Sequence, residues 1–276
     1  MTTSPARQSY VLGVNQAELD RLGLQHQLWA SRTGALWERA GIRNGDTVLD
    51  IGSGPGFATF DLSRLVGPEG RVVAIDEAEM YVEHLRSQAQ ARGIGHIDVV
   101  HGDVQNLREV FGDSPRFDAA YARWVLCFVK DPEAVVAQAA ALLKPGGQLV
   151  VQDYFNYQEM ALAPKSAAFE RVIAAVQKSW RDRGGDPDIG GRLPGMMRRA
   201  GLTVREITPQ LRVARPTDTL WAWPDTFYRN FVPALEQMGY ISADERAAFE
   251  REWSRASNDP DTFVYTPPLV EIVATK

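Results

Sequence analysis

The chain has 276 residues, 45% hydrophobic and 24% charged, with a formal net charge of −5. That length holds one α/β domain with additions or at most two small domains, and the composition is that of a globular protein rather than a disordered chain. The acidic balance, without a dense Lys/Arg run, argues against nucleic acid or an anionic membrane as principal partner. No stretch approaches the ~18 apolar residues of a membrane span, and the first residues lack a basic-then-apolar signal, so a cytoplasmic location is expected. Cys127 is the single cysteine. An intramolecular disulfide is therefore impossible, and its apolar neighbours Val125, Leu126, Phe128 and Val129 mark it as a packing thiol.

Residues 9–40 read as a helical cap. Asn15, three places ahead of Glu18, resembles a capping box with asparagine as the cap, and Leu19, Leu22, Leu28, Leu36 and Trp37 follow it. Next comes Val48-Leu49-Asp50-Ile51-Gly52-Ser53-Gly54-Pro55-Gly56, an apolar β-prone run, an acid, and three glycines alternating with small or rigid residues before a helical pattern starts at Phe57. This is a strand, a tight turn and a helix N-terminus, where backbone N–H groups lie open to a ligand. A dinucleotide fingerprint, Gly-x-Gly-x-x-Gly, counted from Gly52 would need glycine where Phe57 stands. Asp50 inside the turn would also repel a pyrophosphate, whereas a ligand carrying an ammonium and a sulfonium would welcome its charge.

Residues 72–75 form a short buried strand with Asp76 at its end, 20 residues beyond Gly56, the separation at which a second-strand acid meets ribose hydroxyls. Residues 97–100 lead into His101-Gly102-Asp103-Val104, again a strand ending in an acid. Residues 117–123 are a fourth strand. Asp131-Pro132-Glu133 opens an Ala-rich helix with an acid at the cap and proline at the first helical position. Lys144-Pro145-Gly146-Gly147 ends that helix and turns into a fifth strand over 148–153. Residues 193–200 are helix-like, Gly201 stops them, and 202–213 read as a sixth strand. Residues 262–275 read as a seventh, interrupted by Pro267-Pro268. Between these last two lies an insertion, 215–261, holding Trp221, Trp223, Phe227, Tyr228, Phe231, Tyr240 and Trp253, a density above the 9% aromatic content of the chain.

Strands alternating with helices specify a parallel sheet covered on both faces, and ligands bind beyond the carboxyl ends of such strands. Asp50, Asp76, Asp103, Arg123 and Asp153 all stand at or just past those ends. The acid-x-Gly-x-Gly-x-Gly run, Asp76, Asp103 and the Lys144-Pro145-Gly146-Gly147 turn, in this order over residues 45–155, resemble the class I S-adenosylmethionine-dependent methyltransferases. The resemblance implies an α/β fold with a doubly wound, mostly parallel seven-stranded sheet and an antiparallel last strand. The whole is then one domain: a helical cap at 9–40, a cofactor-binding core at 41–214, a helical lid at 215–261 and the last strand at 262–276. It implies S-adenosylmethionine as cofactor and S-adenosylhomocysteine as product. Asp50, Gly52, Ser53, Gly54 and Gly56 are then set against the methionine portion, Asp76 at the ribose with Glu77 beside it, and Met80 flanking the adenine. Gly102, Asp103 and Val104 serve the adenine ring, and Arg123 stands at the end of the fourth strand. The leading helix resembles a small-molecule subgroup sharing Tyr10, Gly13, Glu18, Arg21, Leu22 and Gln25, by which Tyr10 and Gln25 reach the methionine end.

The implied chemistry is in-line displacement at a sulfonium carbon, for which the protein supplies alignment, close approach and exclusion of water. A base is needed only where the acceptor must lose a proton. His26 and Asp153 are the candidates. Tyr154, Trp223, Phe227 and Tyr228 are expected to line a site for a small, apolar or aromatic metabolite, with the other aromatics anchoring the insertion. No metal is expected. A nucleic-acid or protein methyltransferase of the same fold is the first alternative. Against a nucleic-acid substrate, the fourth strand is not followed by Asn/Asp-Pro-Pro-aromatic, and no proline precedes Cys127. A non-catalytic cofactor-binding protein is the second, and its sign would be a degenerate cofactor site.

Overall fold

The computed structural model describes residues 15–276, so Tyr10 and Gly13 lie outside the described residues. Helix α1 (Gln16–Arg39) begins where the sequence predicts, with the Asn15 side chain accepting the Glu18 N–H at 3.0 Å. Strands and helices then alternate: β1 (Thr47–Ile51), α2 (Phe57–Val66), β2 (Arg71–Asp76), α3 (Glu79–Ala91), β3 (Ile97–His101), α4 (Leu107–Phe111), β4 (Phe117–Arg123), α5 (Pro132–Leu142) and β5 (Leu143–Tyr154). The second half adds β6 (Ala161–Ala163), α6 (Ala167–Arg181), α7 (Leu193–Arg199), β7 (Thr203–Gln210), β8 (Val213–Ala214), α8 (Ala222–Gln237), α9 (Ala243–Ser257), β9 (Phe263–Tyr265) and β10 (Leu269–Thr275).

The main sheet has seven strands in the order β3-β2-β1-β4-β5-β10-β7. The first five are parallel, and β10 runs antiparallel to both of its neighbours. This is the expected doubly wound architecture with an antiparallel last strand. From β1 the chain travels outward to β2 and β3, then returns on the other side at β4, which leaves a crevice beyond the carboxyl ends of β1 and β4. Asp50 of β1 pairs in register with Tyr121 of β4 at that point.

Three boundaries depart from the sequence reading. The expected sixth strand breaks after Gln210, and Val213 and Ala214 join a separate three-stranded sheet, β6-β9-β8. The expected seventh strand divides at Pro267-Pro268, because a residue without an N–H cannot carry the ladder across. Its two parts, β9 and β10, lie in different sheets. The Lys144-Pro145-Gly146-Gly147 turn is carried inside β5, where Lys144 Nζ binds Asp118 Oδ2 at 2.8 Å. None of the described helices is long and apolar enough to cross a membrane.

A buried polar knot ties α1 to the β5-β10-β7 side of the sheet. The Glu271 carboxylate, on β10, accepts from Gln152 Nε2 at 2.9 Å, from Gln210 Nε2 at 3.0 Å and from the Arg39 guanidinium. Its side chain is fully buried, so removing it would leave the buried Gln152 and Gln210 amides without their acceptor, while partly exposed Arg39 keeps Glu206. Glu271→Ala is expected to destabilise the fold by roughly 2–4 kcal/mol, seen as a lower urea midpoint at unchanged slope.

Candidate active site

The turn after β1 is built by three glycines in the left-handed region, at φ +66 for Gly52, +55 for Gly54 and +87 for Gly56. They serve different ends. A Cβ at Gly56 would lie 2.2 Å from Leu85 Cδ1, a side chain with no room to swing aside. A Cβ at Gly54 would meet nothing within 4 Å, because Gly54 faces a cavity of about 840 Å³. The Gly54 N–H donates to Asp76 Oδ2 at 2.7 Å, and the Ala78 N–H donates to Asp76 Oδ1 at 2.9 Å. The end of β2 therefore fixes the turn that follows β1.

Burial raises the pKa of two carboxyls on the cavity wall. Asp50 is buried, its Oδ2 accepting from Thr59 Oγ1 at 2.6 Å. Burial pushes its pKa up to about 6, against the opposing pull of Thr59 and Arg123. Burial also raises the Asp76 carboxyl, against its backbone hydrogen bonds. Arg123, at the end of β4, donates to Thr33 Oγ1 at 3.1 Å and lies 3.2 Å from His26 Nδ1.

The cavity gathers most of the residues expected to hold the cofactor: Asp50, Gly52, Ser53, Gly54, Asp76, Glu77, Gly102, Asp103, Val104, Arg123 and Gln25 all line it. Gly56 does not, since it secures packing on α3. Met80 is exposed and off the wall, while its neighbour Tyr81 lines it with a buried hydroxyl unpartnered among the described residues. Sequence reading missed Tyr81 because the first turn of α3 could present either residue inward.

Both candidate bases lie elsewhere. His26 Nε2 binds Asp61 Oδ2 at 2.9 Å, Nδ1 accepts from Arg123, and the ring lines neither cavity. Burial first, then the Arg123 charge, push its pKa down to about 3, so it is a neutral strut for Arg123. Asp153 is fully buried and accepts the N–H groups of Cys127 at 3.2 Å and Tyr154 at 2.8 Å. It clamps the segment after β4. Burial raises it to about 6.

A second cavity, of about 40 Å³, shares Gln25, Trp124, Phe128 and Trp180 with the first, and Tyr154, Trp223 and Phe227 are among its other lining residues. Tyr228 does not reach it. It is buried between α6, α8 and α9, with its hydroxyl 3.2 Å from Met160 Sδ and its ring against Phe169, Phe249 and Trp253. Trp124 and Trp180 were missed. Trp124 directly follows the expected Arg123, which was a usable signal; Trp180 sits on an amphipathic helix where any core residue would read the same.

Residues 42–194, more than half of the chain, match the model of a family described as a methyltransferase domain. The chain belongs to the class I S-adenosylmethionine-dependent methyltransferases. It is 35% identical over 133 residues to the ubiquinone/menaquinone biosynthesis C-methyltransferase UbiE of Pseudomonas putida, a match covering 48% of this chain and 50% of that one. The chain thus spans about half the length of the curated relatives it matches. Among solved structures, an S-adenosylmethionine-dependent methyltransferase from Aquifex aeolicus superposes with a TM-score of 0.53 at 20% identity, covering 71% of this chain and 92% of that one. Geranyl diphosphate C-methyltransferase from Streptomyces coelicolor, crystallised with geranyl diphosphate and S-adenosylhomocysteine, gives 0.57 at 17% identity over 97% and 89%. At these identities the structures attest the fold alone.

The methyltransferase cofactor fits the residues present. Asp50 and Asp76 offer carboxylates to its positive groups and hydroxyls, Gly54 leaves the wall open where a side chain would project, and Tyr81 has a hydroxyl to satisfy. Gly54→Ala is expected to abolish calorimetric binding of S-adenosylhomocysteine at a stability cost of only about 1–2 kcal/mol from its left-handed φ. Gly56→Ala adds a clash to that strain, and thermal unfolding should register roughly 2–4 kcal/mol.

Proposed function

We propose that this chain transfers a methyl group from S-adenosylmethionine to a small, apolar acceptor held at the larger cavity, with an apolar group in the aromatic one. The observation that carries this reading is the adjacency of the two cavities: Gln25, Trp124, Phe128 and Trp180 belong to both walls, so the aromatic cavity lies directly beside the acid-lined chamber. The small cavity, about 40 Å³ and walled largely by aromatic side chains, is a recess for an apolar group of an acceptor held at the larger cavity.

The cofactor, when bound, supplies an already activated methyl group on a sulfonium. Asp50 and Asp76 hold its positive charge and hydroxyls in a site of low polarity, where their attraction is stronger than in water. Thr59 and Arg123 keep Asp50 oriented, and His26 keeps Arg123 in place. The aromatic wall excludes water and holds the acceptor in line. Among the described residues this wall carries no carboxylate or imidazole, and burial keeps Tyr154 and Tyr157 protonated. An acceptor that reacts here therefore presents its nucleophilic atom already free of its proton.

Incubation with S-adenosylmethionine and a metabolite extract should yield a product heavier by one methylene, read by mass spectrometry; a chain that binds cofactor and methylates nothing would overturn the reading. Phe227→Ala removes wall without touching the cofactor chamber. It should raise the acceptor's KM by about tenfold, equivalent to ~1.4 kcal/mol of lost apolar burial, and leave cofactor affinity within about twofold.

The Asp50 pKa fixes a pH dependence. A bound cation favours the carboxylate, so binding below about pH 6 must expel a proton. Cofactor affinity is expected to be level between pH 6.5 and 7.5 and to weaken below about 6, by up to about tenfold per pH unit. The apo protein should follow the opposite trend. A buried carboxyl with a raised pKa favours folding while protonated, so the contribution of Asp50 and Asp153 is present at acid pH and lost as pH rises through about 6. Calorimetry and thermal unfolding across pH 5–7.5 check both signs.

A further inference from the structure

The large cavity runs on past the cofactor residues, and the charge of its wall changes along the way. Its carboxylates, Asp50, Asp76, Glu77 and Asp103, all stand at or just past the ends of β1, β2 and β3. After β4 the lining passes to the apolar side chains Trp124, Phe128, Val129 and Trp180, and with them come two cations, Lys130 and Arg183. The other arginine on this wall, Arg123, is turned to Thr33 and His26.

The two cations meet because the turn after α6 crosses the segment after β4. The Asp186 N–H donates to Cys127 O at 2.8 Å, and a Cβ on Gly185 would lie 2.6 Å from that same oxygen, so the crossing requires glycine. Gly184 sits in the turn itself, and a Cβ there would touch Lys130 Cγ at 3.5 Å. The stem of Lys130 therefore lies along this turn, beside the residue that follows Arg183. Both cations have fixed backbones: the Lys130 N–H donates to Gln105 Oε1 at 3.1 Å, and the Arg183 N–H to Trp180 O at 3.1 Å. Arg183 Nη2 also reaches Met238 Sδ at 2.7 Å. Lys130 is exposed and Arg183 half-buried, which puts their charges at the mouth of the cavity rather than on its floor.

Lys130 forms no ion pair among the described residues; the lysines that do are Lys144 and Lys178. The carboxylates of the crossing segments are engaged elsewhere. Asp131 accepts the Ala134 N–H at 2.9 Å at the start of α5, Asp182 pairs with Lys178 at 2.7 Å, and Asp186 pairs with Arg192 at 2.8 Å. Resting on the methyl-transfer reading above, we propose that the acceptor carries an anionic group, a carboxylate or a phosphate, which Lys130 and Arg183 receive at the mouth of the large cavity while its apolar body lies along Phe128, Val129 and Trp180. An ammonium is the contrary case. The two cations would repel it, and the carboxylates of this cavity stand at the ends of β1 to β3, where the cofactor fits.

The test is calorimetry on the full chain saturated with S-adenosylhomocysteine, using probes that share a straight alkyl tail: octanoate, octyl phosphate, octan-1-ol and octylamine. At least one of the two anions should bind about tenfold more tightly than the alcohol or the amine, and comparing octanoate with octyl phosphate tells which head group the mouth takes. Lys130→Ala, at an exposed position, should lower that anion's affinity by about tenfold and leave S-adenosylhomocysteine unchanged, whereas Lys130→Arg, which keeps the charge, should retain it. Equal binding of anion and alcohol, no binding of either anion, preference for the amine, an anion affinity indifferent to Lys130→Ala, or a Lys130→Ala loss that falls on S-adenosylhomocysteine would each overturn the proposal while the methyl-transfer reading stands. A chain that fails to bind S-adenosylhomocysteine overturns both.

Discussion

The structure is organised around one constraint, the burial of the Asp50 charge at the point where the sheet reverses direction. A carboxylate there is useful only if it stays ionised and fixed, and burial opposes ionisation. A line of polar groups answers this. Arg39 at the surface meets Glu271, Glu271 meets Gln152, and Gln152 receives the Thr33 hydroxyl at 3.4 Å. Thr33 in turn receives Arg123, which steadies Asp50 by its charge and is itself backed by His26 and Asp61. These links cross from α1 through β5 and β10 to β4, so the same bonds that dock the helical cap on the sheet also set the electrostatics of the cavity.

What could be read from sequence follows from how locally each feature is specified. The turn from Gly52 to Gly56, the acids ending β1 to β3 and the strand–helix alternation depend on neighbours a few residues apart, and all were found where expected. Within that turn, however, Gly54 and Gly56 look alike in sequence. Only the position of Leu85 on α3 makes one an opening and the other a packing contact. The surroundings of His26 are equally invisible in sequence, since its partners Asp61 and Arg123 lie 35 and 97 residues away. The prolines at 267 and 268 were visible, but that they divide two sheets depends on β6 and β8, which are too short to announce themselves.

The aromatic half of the molecule follows a different rule. Trp221 stacks on Trp253 at 4.6 Å, and Phe169, Tyr228, Phe249 and Trp253 interlock across α6, α8 and α9. This packing turns the insertion after β8 into a firm buttress that presents Trp223 and Phe227 inward. Helix α6 supplies Trp180 to the same wall, α1 supplies Gln25 and the segment after β4 supplies Trp124 and Phe128, so the small cavity is assembled from distant parts of the chain. Trp180 also lines the chamber of Asp50 and Asp76, so only the insertion can vary without touching that chamber.

The placement of β10 has a consequence for how the molecule is made. Both β5 and β7 hydrogen-bond to it along its length, and β7 has no other neighbour in the sheet. Until residues 269–275 are available, β5 ends in a bare edge and β7 has nothing to pair with, so the second half of the chain must wait as unattached segments. The five parallel strands are complete by Tyr154. Closure of the sheet, and with it the Glu271 knot that seats α1, waits for residues 269–275. A chain lacking residues 269–275 would leave the flank of β5 as an unpaired edge, the kind of surface that invites pairing with another chain.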